Sequence, residues 1–146
     1  MARYHTVIHW FRRDLRLSDN VALWRATMDS DSVVPVYVSS SWKGAHQWTG
    51  PGRQAFLCGC LASLAKNIDY IGGRLIFRRG GVRAELENLI NESQAEAIYL
   101  NRDPDPYGRE VEKSIRQLCR EKGIGFLDFQ DFVLHEPHEV LTGTGN

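Results

Sequence analysis

The sequence predicts an α/β fold in three layers, a five-stranded parallel doubly wound (Rossmann-like) sheet flanked by helices. Three observations predict it. Five short runs rich in β-branched and aromatic residues recur along 146 residues. Between them lie longer stretches whose apolar residues repeat at helical spacing, and the junctions carry capping residues, prolines and glycines. Strands that alternate with helices in this way require right-handed crossovers, and therefore a parallel sheet covered on both faces.

The first strand is HTVIHWF, residues 5–11. The polar RRDLRL follows as a loop, and Ser18, Asp19 and Asn20 offer N-cap oxygens to a short helix on which Val21, Trp24 and Met28 recur. Val33 to Val38 reads as the second strand, and residues 39–52 are loop-like and long enough to form a lid. From Arg53 the set Phe56, Leu57, Cys60, Leu61, Leu64 and Ile68 marks a longer helix that stops at Gly72 and Gly73. RLIFRR at 74–79 is the third strand, and Val82, Leu86, Leu89 and Ile90 give the next helix its inner face. EAIYLN at 96–101 is the fourth strand. Tyr107, Val111, Ile115, Leu118 and Cys119 trace the last helix, Gly123 ends it, and GFLDF at 125–129 is the fifth strand. The closing TGTGN has the composition of a linker.

With 42% hydrophobic and 25% charged residues the chain suits one domain with a real core. Lys plus Arg and Asp plus Glu both number 18, so no basic field is available for autonomous nucleic-acid binding. No apolar run approaches the roughly 20 residues of a membrane span, and the start lacks a signal-peptide core. A soluble, cytoplasmic chain is expected. Three cysteines, an odd number, argue against a disulfide framework, and Cys58 and Cys60 point to different faces of a helix. They read as small buried apolar residues rather than as a metal or redox pair.

Ligands of open α/β sheets bind beyond the carboxyl ends of the strands, where strand order reverses. Arg12, Arg13, Asp14 and Arg16 follow the first strand; Asn101, Arg102, Asp103, Pro104 and Asp105 follow the fourth. No G-x-G-x-x-G, Walker sequence, G-x-S-x-G elbow or H-E-x-x-H occurs, and the five histidines are scattered, so no metal site and no catalytic residue is expected. Arg13 and Arg53 have the chemistry to donate to ring carbonyls, and Asp103 and Asp105 to accept from ring N–H groups or polyol hydroxyls. Such a site binds and orients a heteroaromatic ligand. The alternative is that Arg12, Arg13, Asp14 and Arg16 pair with one another and pin the loop, and the residues alone leave both open.

The string HWFRRDLRLSDNVAL is similar to the opening of the DNA photolyase and cryptochrome family, with Trp10, Arg12, Asp14, Leu15, Arg16, Asp19 and Asn20 on its W-x-R-x-D-L-R-x-x-D-N pattern. AIYLNRDPDPYGRE resembles the family's W-N-x-D-x-x-P-Y segment, with Leu100 in place of the Trp and Asn101, Asp103, Pro106 and Tyr107 retained. The ending LTGTGN looks like the family's interdomain connector. The resemblance covers the chain but only about the first third of the usual family length. It implies an amino-terminal antenna domain over 1–130, the start of a linker over 131–146, and a helical FAD-binding domain absent from this chain.

By resemblance, the parent is a deoxyribodipyrimidine photolyase, a light-driven lyase that repairs pyrimidine dimers in DNA and contacts DNA only through that other domain. This fragment would gather light without bond chemistry. Members that use 8-hydroxy-5-deazaflavin imply a pigment contact set of Arg13, Val36, Tyr37, Val38, Ser40, Arg53, Asp103 and Asp105. Ser40 departs from the acidic residue common at its position. Folate-antenna members carry an Asn-Glu pair near Pro106-Tyr107, so 8-hydroxy-5-deazaflavin is favoured over methenyltetrahydrofolate and over FMN or FAD. Trp10 and Trp24 are expected in the core, and Trp42 and Trp48 against the pigment or a partner domain. The isolated domain is expected to expose an apolar partner surface, which a homodimer would cover, with residues 130–142 part of it. Two other readings are the same domain of a cryptochrome and a free-standing nucleotide-binding domain. For the latter, Gly80-Gly81 and the glycines of the tail are poorly placed as a phosphate loop.

Overall fold

β1 (Tyr4–Phe11) is the central strand, hydrogen-bonded to β2 (Ser30–Ser39) on one side and β4 (Ala97–Asn101) on the other. The short β3 (Ile76–Arg79) lies outside β2 and β5 (Gly125–Phe129) outside β4, giving the order β3-β2-β1-β4-β5 with every pair parallel. The structure, a computed structural model, describes residues 2–40 and 51–130. Pro35 has no N–H to give a ladder, and it sits opposite His9 just before the β2–β3 pairing starts at Val36 and Ile76.

Strand periodicity sorts the side chains. Ile8, Trp10, Val36, Val38, Ile98 and Leu100 face two helices, α3 (Val82–Ser93) and α4 (Pro106–Lys122), which bring Leu86, Leu89, Ile90, Ile115 and Leu118 to the largest core cluster. Each fully buried Leu or Ile contributes about 1.5–3 kcal/mol, so this layer supplies much of the stability. α4 is closed at both ends. Asp105 caps it by accepting from Tyr107 N at 3.2 Å, Pro106 opens it, and Gly123 at φ +69° lets the chain turn so that Ile124 N donates to Cys119 O at 3.0 Å.

The opposite face carries α1 (Val21–Asp29) and α2 (Pro51–Tyr70). Here the apolar periodicity misleads. α1 buries Ala22 and Ala26, while Val21, Trp24 and Met28 are 41%, 59% and 63% exposed. Trp24 is therefore not a core residue as expected, whereas Trp10 is. The cause is the helix start: Asn101 Oδ1 accepts from Ala22 N at 3.2 Å and Asn20 Oδ1 from Leu23 N at 3.1 Å, which fixes the rotation and presses the small alanine edge onto the sheet. α2 buries Leu64 and Ile68 against Phe11 and Tyr37, with Leu57 and Leu61 partly buried beside them, while Phe56 is exposed. Cys58 is likewise exposed and Cys60 half-buried, so the expected buried environment holds for Cys119 alone.

Between α1 and α2 runs an apolar groove of about 1160 Å³, walled by Leu23, Trp24, Val33, Val34, Ile68 and Ile71 among others. Among the described residues no helix is long and apolar enough to cross a membrane and no cluster of metal-ligating side chains occurs. Trp42, Trp48, the expected linker and the expected partner surface beyond Gln130 lie outside the described residues.

Candidate functional site

In the order β3-β2-β1-β4-β5 the chain leaves β1 toward one edge and returns at β4 toward the other, so the switch point lies between the carboxyl ends of β1 and β4. The β1–α1 and β4–α4 loops meet there, and the side chains they contribute form two clusters.

The first cluster is buried. Asp14 is fully enclosed; its Oδ1 accepts from Arg12 N at 2.9 Å, and its Oδ2 accepts from Asn20 Nδ2 at 3.0 Å and Asn101 Nδ2 at 2.6 Å. Asn101 Nδ2 also donates to Asn20 Oδ1 at 2.8 Å. These bonds tie the end of β1, the end of β4 and the start of α1 into one unit. His9, fully buried, stands with Nε2 3.6 Å from Asp14 Oδ2, and among the described residues neither of its ring nitrogens has a hydrogen-bond partner. Burial alone would raise the Asp14 carboxyl, but the His9 imidazole, the Arg12 N–H and the Asn101 amide outweigh it and hold the pKa below the ordinary 3.8.

The second cluster opens to the surface. Arg13 Nε lies 3.3 Å from Asp103 Oδ2, and Arg13 Nη2 donates to Asp105 Oδ2 at 2.9 Å. Asp103 Oδ1 accepts from Asp105 N at 3.0 Å, which fixes the loop between them. Behind them Arg12 donates through Nη1 to Glu112 and through Nη2 to Gly108 O at 3.0 Å, and Glu112 Oε1 also accepts from Asp103 N at 2.7 Å. A Cβ at Gly108 would come within 2.5 Å of Asp103 Oδ2, so only glycine lets α4 approach this carboxylate.

A cavity of about 70 Å³ lies against the second cluster, lined by Trp10, Phe11, Arg12, Arg13, Val38, Ser40, Val82, Asp103, Asp105, Tyr107, Gly108 and Val111. The structure thus brings together Arg13, Val38, Ser40, Asp103 and Asp105 from the expected contact set. Val36 and Tyr37 lie in the core on opposite faces of β2, and Arg53 sits exposed in the first turn of α2. In place of the expected mutual side-chain pairing within 12–16, Arg12 and Arg13 pair with carboxylates from β4–α4, while Asp14 accepts from the backbone N–H groups of Arg12 at 2.9 Å and Arg16 at 2.7 Å. Glu112 escapes a reading focused on strand ends. Its signal lies in spacing: Gly108, Glu112, Ile115 and Cys119 form one buried stripe, and an acid on such a stripe needs a buried donor.

The donor set fits a planar heteroaromatic group. A guanidinium and two carboxylates stand on one side, Val38, Val82 and Val111 supply apolar walls, and Trp10, Phe11 and Tyr107 supply rings. The enclosed volume admits a ring edge rather than a whole tricyclic ring system, and Arg13 on its wall has a side chain 56% exposed. The larger α1–α2 groove runs along the flank of the sheet and shares Phe11 with this cavity.

This chain belongs to the DNA photolyase family, whose family model matches residues 7–146. It is similar to the deoxyribodipyrimidine photo-lyase of Agrobacterium fabrum, at 37% identity over 95% of this chain and 28% of that protein. Cryptochrome-1 of Spalax judaei matches at 32% identity over 94% of this chain and 24% of that protein. The crystal structure of an archaeal photolyase from Sulfolobus tokodaii, described with two FAD molecules and their implication of a novel light-harvesting cofactor, superposes with a TM-score of 0.86 at 29% identity, over 94% of this chain and 32% of that one. The chain thus spans about a quarter to a third of the length of the proteins it matches.

Proposed function

We propose that residues 1–130 form the light-harvesting-chromophore domain of a deoxyribodipyrimidine photolyase, with the pigment edge seated at the β1–β4 switch point. The observation that carries this reading is the convergence of Arg13, Asp103 and Asp105, from two separate loops, on one apolar-walled cavity. In the bound state Arg13 donates to ring carbonyls, Asp103 and Asp105 accept from ring N–H groups or side-chain hydroxyls, and Val38, Val82 and Val111 exclude water. The bound pigment would supply absorption and transfer of excitation energy; the domain would supply position and a dry site.

The donors and acceptors suit 8-hydroxy-5-deazaflavin better than methenyltetrahydrofolate, and a flavin is the competing choice because the Sulfolobus tokodaii relative is described with a second FAD. In the parent, a helical carboxyl-terminal domain would carry the catalytic FAD, meet the DNA and split the pyrimidine dimer. Residues 131–146 would begin the linker to it. The domain alone is not expected to catalyse a reaction, and a second copy is the partner expected for its uncovered apolar face.

The test is a titration of the 146-residue chain with 8-hydroxy-5-deazaflavin, methenyltetrahydrofolate and FMN, followed by absorbance and fluorescence. Saturable binding of one pigment is expected, weakened about tenfold or more by Asp103→Ala, since a charge-assisted bond is worth about 1.5–3 kcal/mol. Equal affinity in the folded variant would overturn the site.

A further inference from the structure

Trp10 lines the cavity at 4% exposure, and an indole is a hazard beside an excited pigment. Indole is readily oxidised: next to an excited flavin it gives up one electron, leaving an indole radical cation and a flavin radical anion. The electron then returns and both ground states are restored without emission. Excitation that should pass onward is lost as heat.

The sequence places a cation two residues later. Arg12 directly follows the last residue of β1, and its guanidinium carbon sits 4.7 Å over the Trp10 ring. The guanidinium is held there by N–H groups that donate to Glu112 and to Gly108 O. Arg12 is only 8% exposed, so solvent screens it poorly. An indole radical cation would form directly under this guanidinium, whose charge is shared with Glu112 and, at 3.8 Å, with Asp103.

We propose that Arg12 protects the excited pigment: its guanidinium makes Trp10 hard to oxidise, so the indole serves as a pocket wall without acting as a quencher. The proposal rests on the reading that this cavity holds a heteroaromatic pigment. It gives the Arg12–Glu112 pair a photophysical role distinct from its part in positioning Asp103.

The test uses FMN, or whichever of the other two pigments binds, on the 146-residue chain. The fluorescence lifetime is read on the bound component in four proteins: the unaltered chain, Arg12→Gln with Glu112→Gln, Trp10→Phe, and all three changes together. The paired glutamines remove both charges at once and leave net charge unchanged. Tyr107, the other oxidisable ring on the described wall, is the same in all four and cancels.

The lifetime is expected to fall about threefold or more in the paired variant, where the cation no longer opposes oxidation, and to recover when Trp10→Phe is added. Trp10→Phe alone should change it by less than about 1.3-fold, because a protected indole quenches little. An unchanged lifetime in the paired variant overturns the proposal. So does a severalfold longer lifetime in Trp10→Phe alone, which decides the matter even if the paired variant fails to fold. If FMN and the other two pigments all fail to bind, the pigment reading falls and takes this proposal with it; binding with unaltered lifetimes sinks this proposal alone.

Discussion

Asp14 and Asp105 are carboxylates delivered to the same end of the sheet by neighbouring loops, and they sit in opposite surroundings. Asp14 is fully enclosed and surrounded by donors that belong to the backbone and to asparagines. Asp105 has a side chain 39% exposed and shares a surface arginine. The buried acid serves the fold, because its bonds tie its own loop to the start of α1 and to the end of β4. The exposed acid holds Arg13 through a contact that a ligand can take over, since water already competes for it. A binding site next to a rigid knot gains from both: the knot fixes the loops, and the rim remains exchangeable.

The comparison breaks most visibly at Asp14. Replacement by alanine leaves Arg12 N, Asn20 and Asn101 facing an empty acceptor position, and a loss of about 3 kcal/mol or more in urea unfolding is expected. A loss below about 1 kcal/mol would mean that the knot is not structural.

The acid limb of stability separates the same group from its neighbours. The folded pKa of Asp14 lies below 3.8, so its contribution is complete above that value and disappears as pH falls through the lower folded value. Urea midpoints followed from about pH 5 downward should drop more steeply for the unaltered chain than for Asp14→Asn, which has no proton to gain. Parallel curves would remove Asp14 from the acid transition.

At the rim the expected effect is smallest. Asp105→Asn keeps an N-cap oxygen for α4 and loses only the screened ion pair to Arg13, so stability should stay within about 0.5 kcal/mol while pigment affinity falls. A large stability loss would show that the rim holds the fold together just as the knot does.

The strands and their order of appearance were legible because β-branched runs and turn residues are local signals. The rotation of α1 was not. Val21, Trp24 and Met28 make a helical stripe as regular as a core face, yet side-chain bonds from Asn20 and Asn101 turn the alanine edge inward. Bonds between residues 81 positions apart leave no trace in a local period. At the site, Arg13, Asp103 and Asp105 could be named because the ends of β1 and β4 are a predictable place for ligands. Val36 and Tyr37 came from resemblance to the family, and the structure gives both to the core. Glu112 remained hidden because it lies within a helix, two turns past its start, where attention to strand ends does not reach.

The outward-facing stripe of α1 also governs how the protein behaves in a tube. Formal net charge is zero at pH 7, so copies meet there without long-range repulsion, while Trp24 and Met28 offer a sticky, uncharged landing strip beside an open groove. Colloidal stability is therefore poorest at neutrality, the pH at which such a domain is ordinarily purified. A buffer on either side restores a common sign of charge and keeps the copies apart.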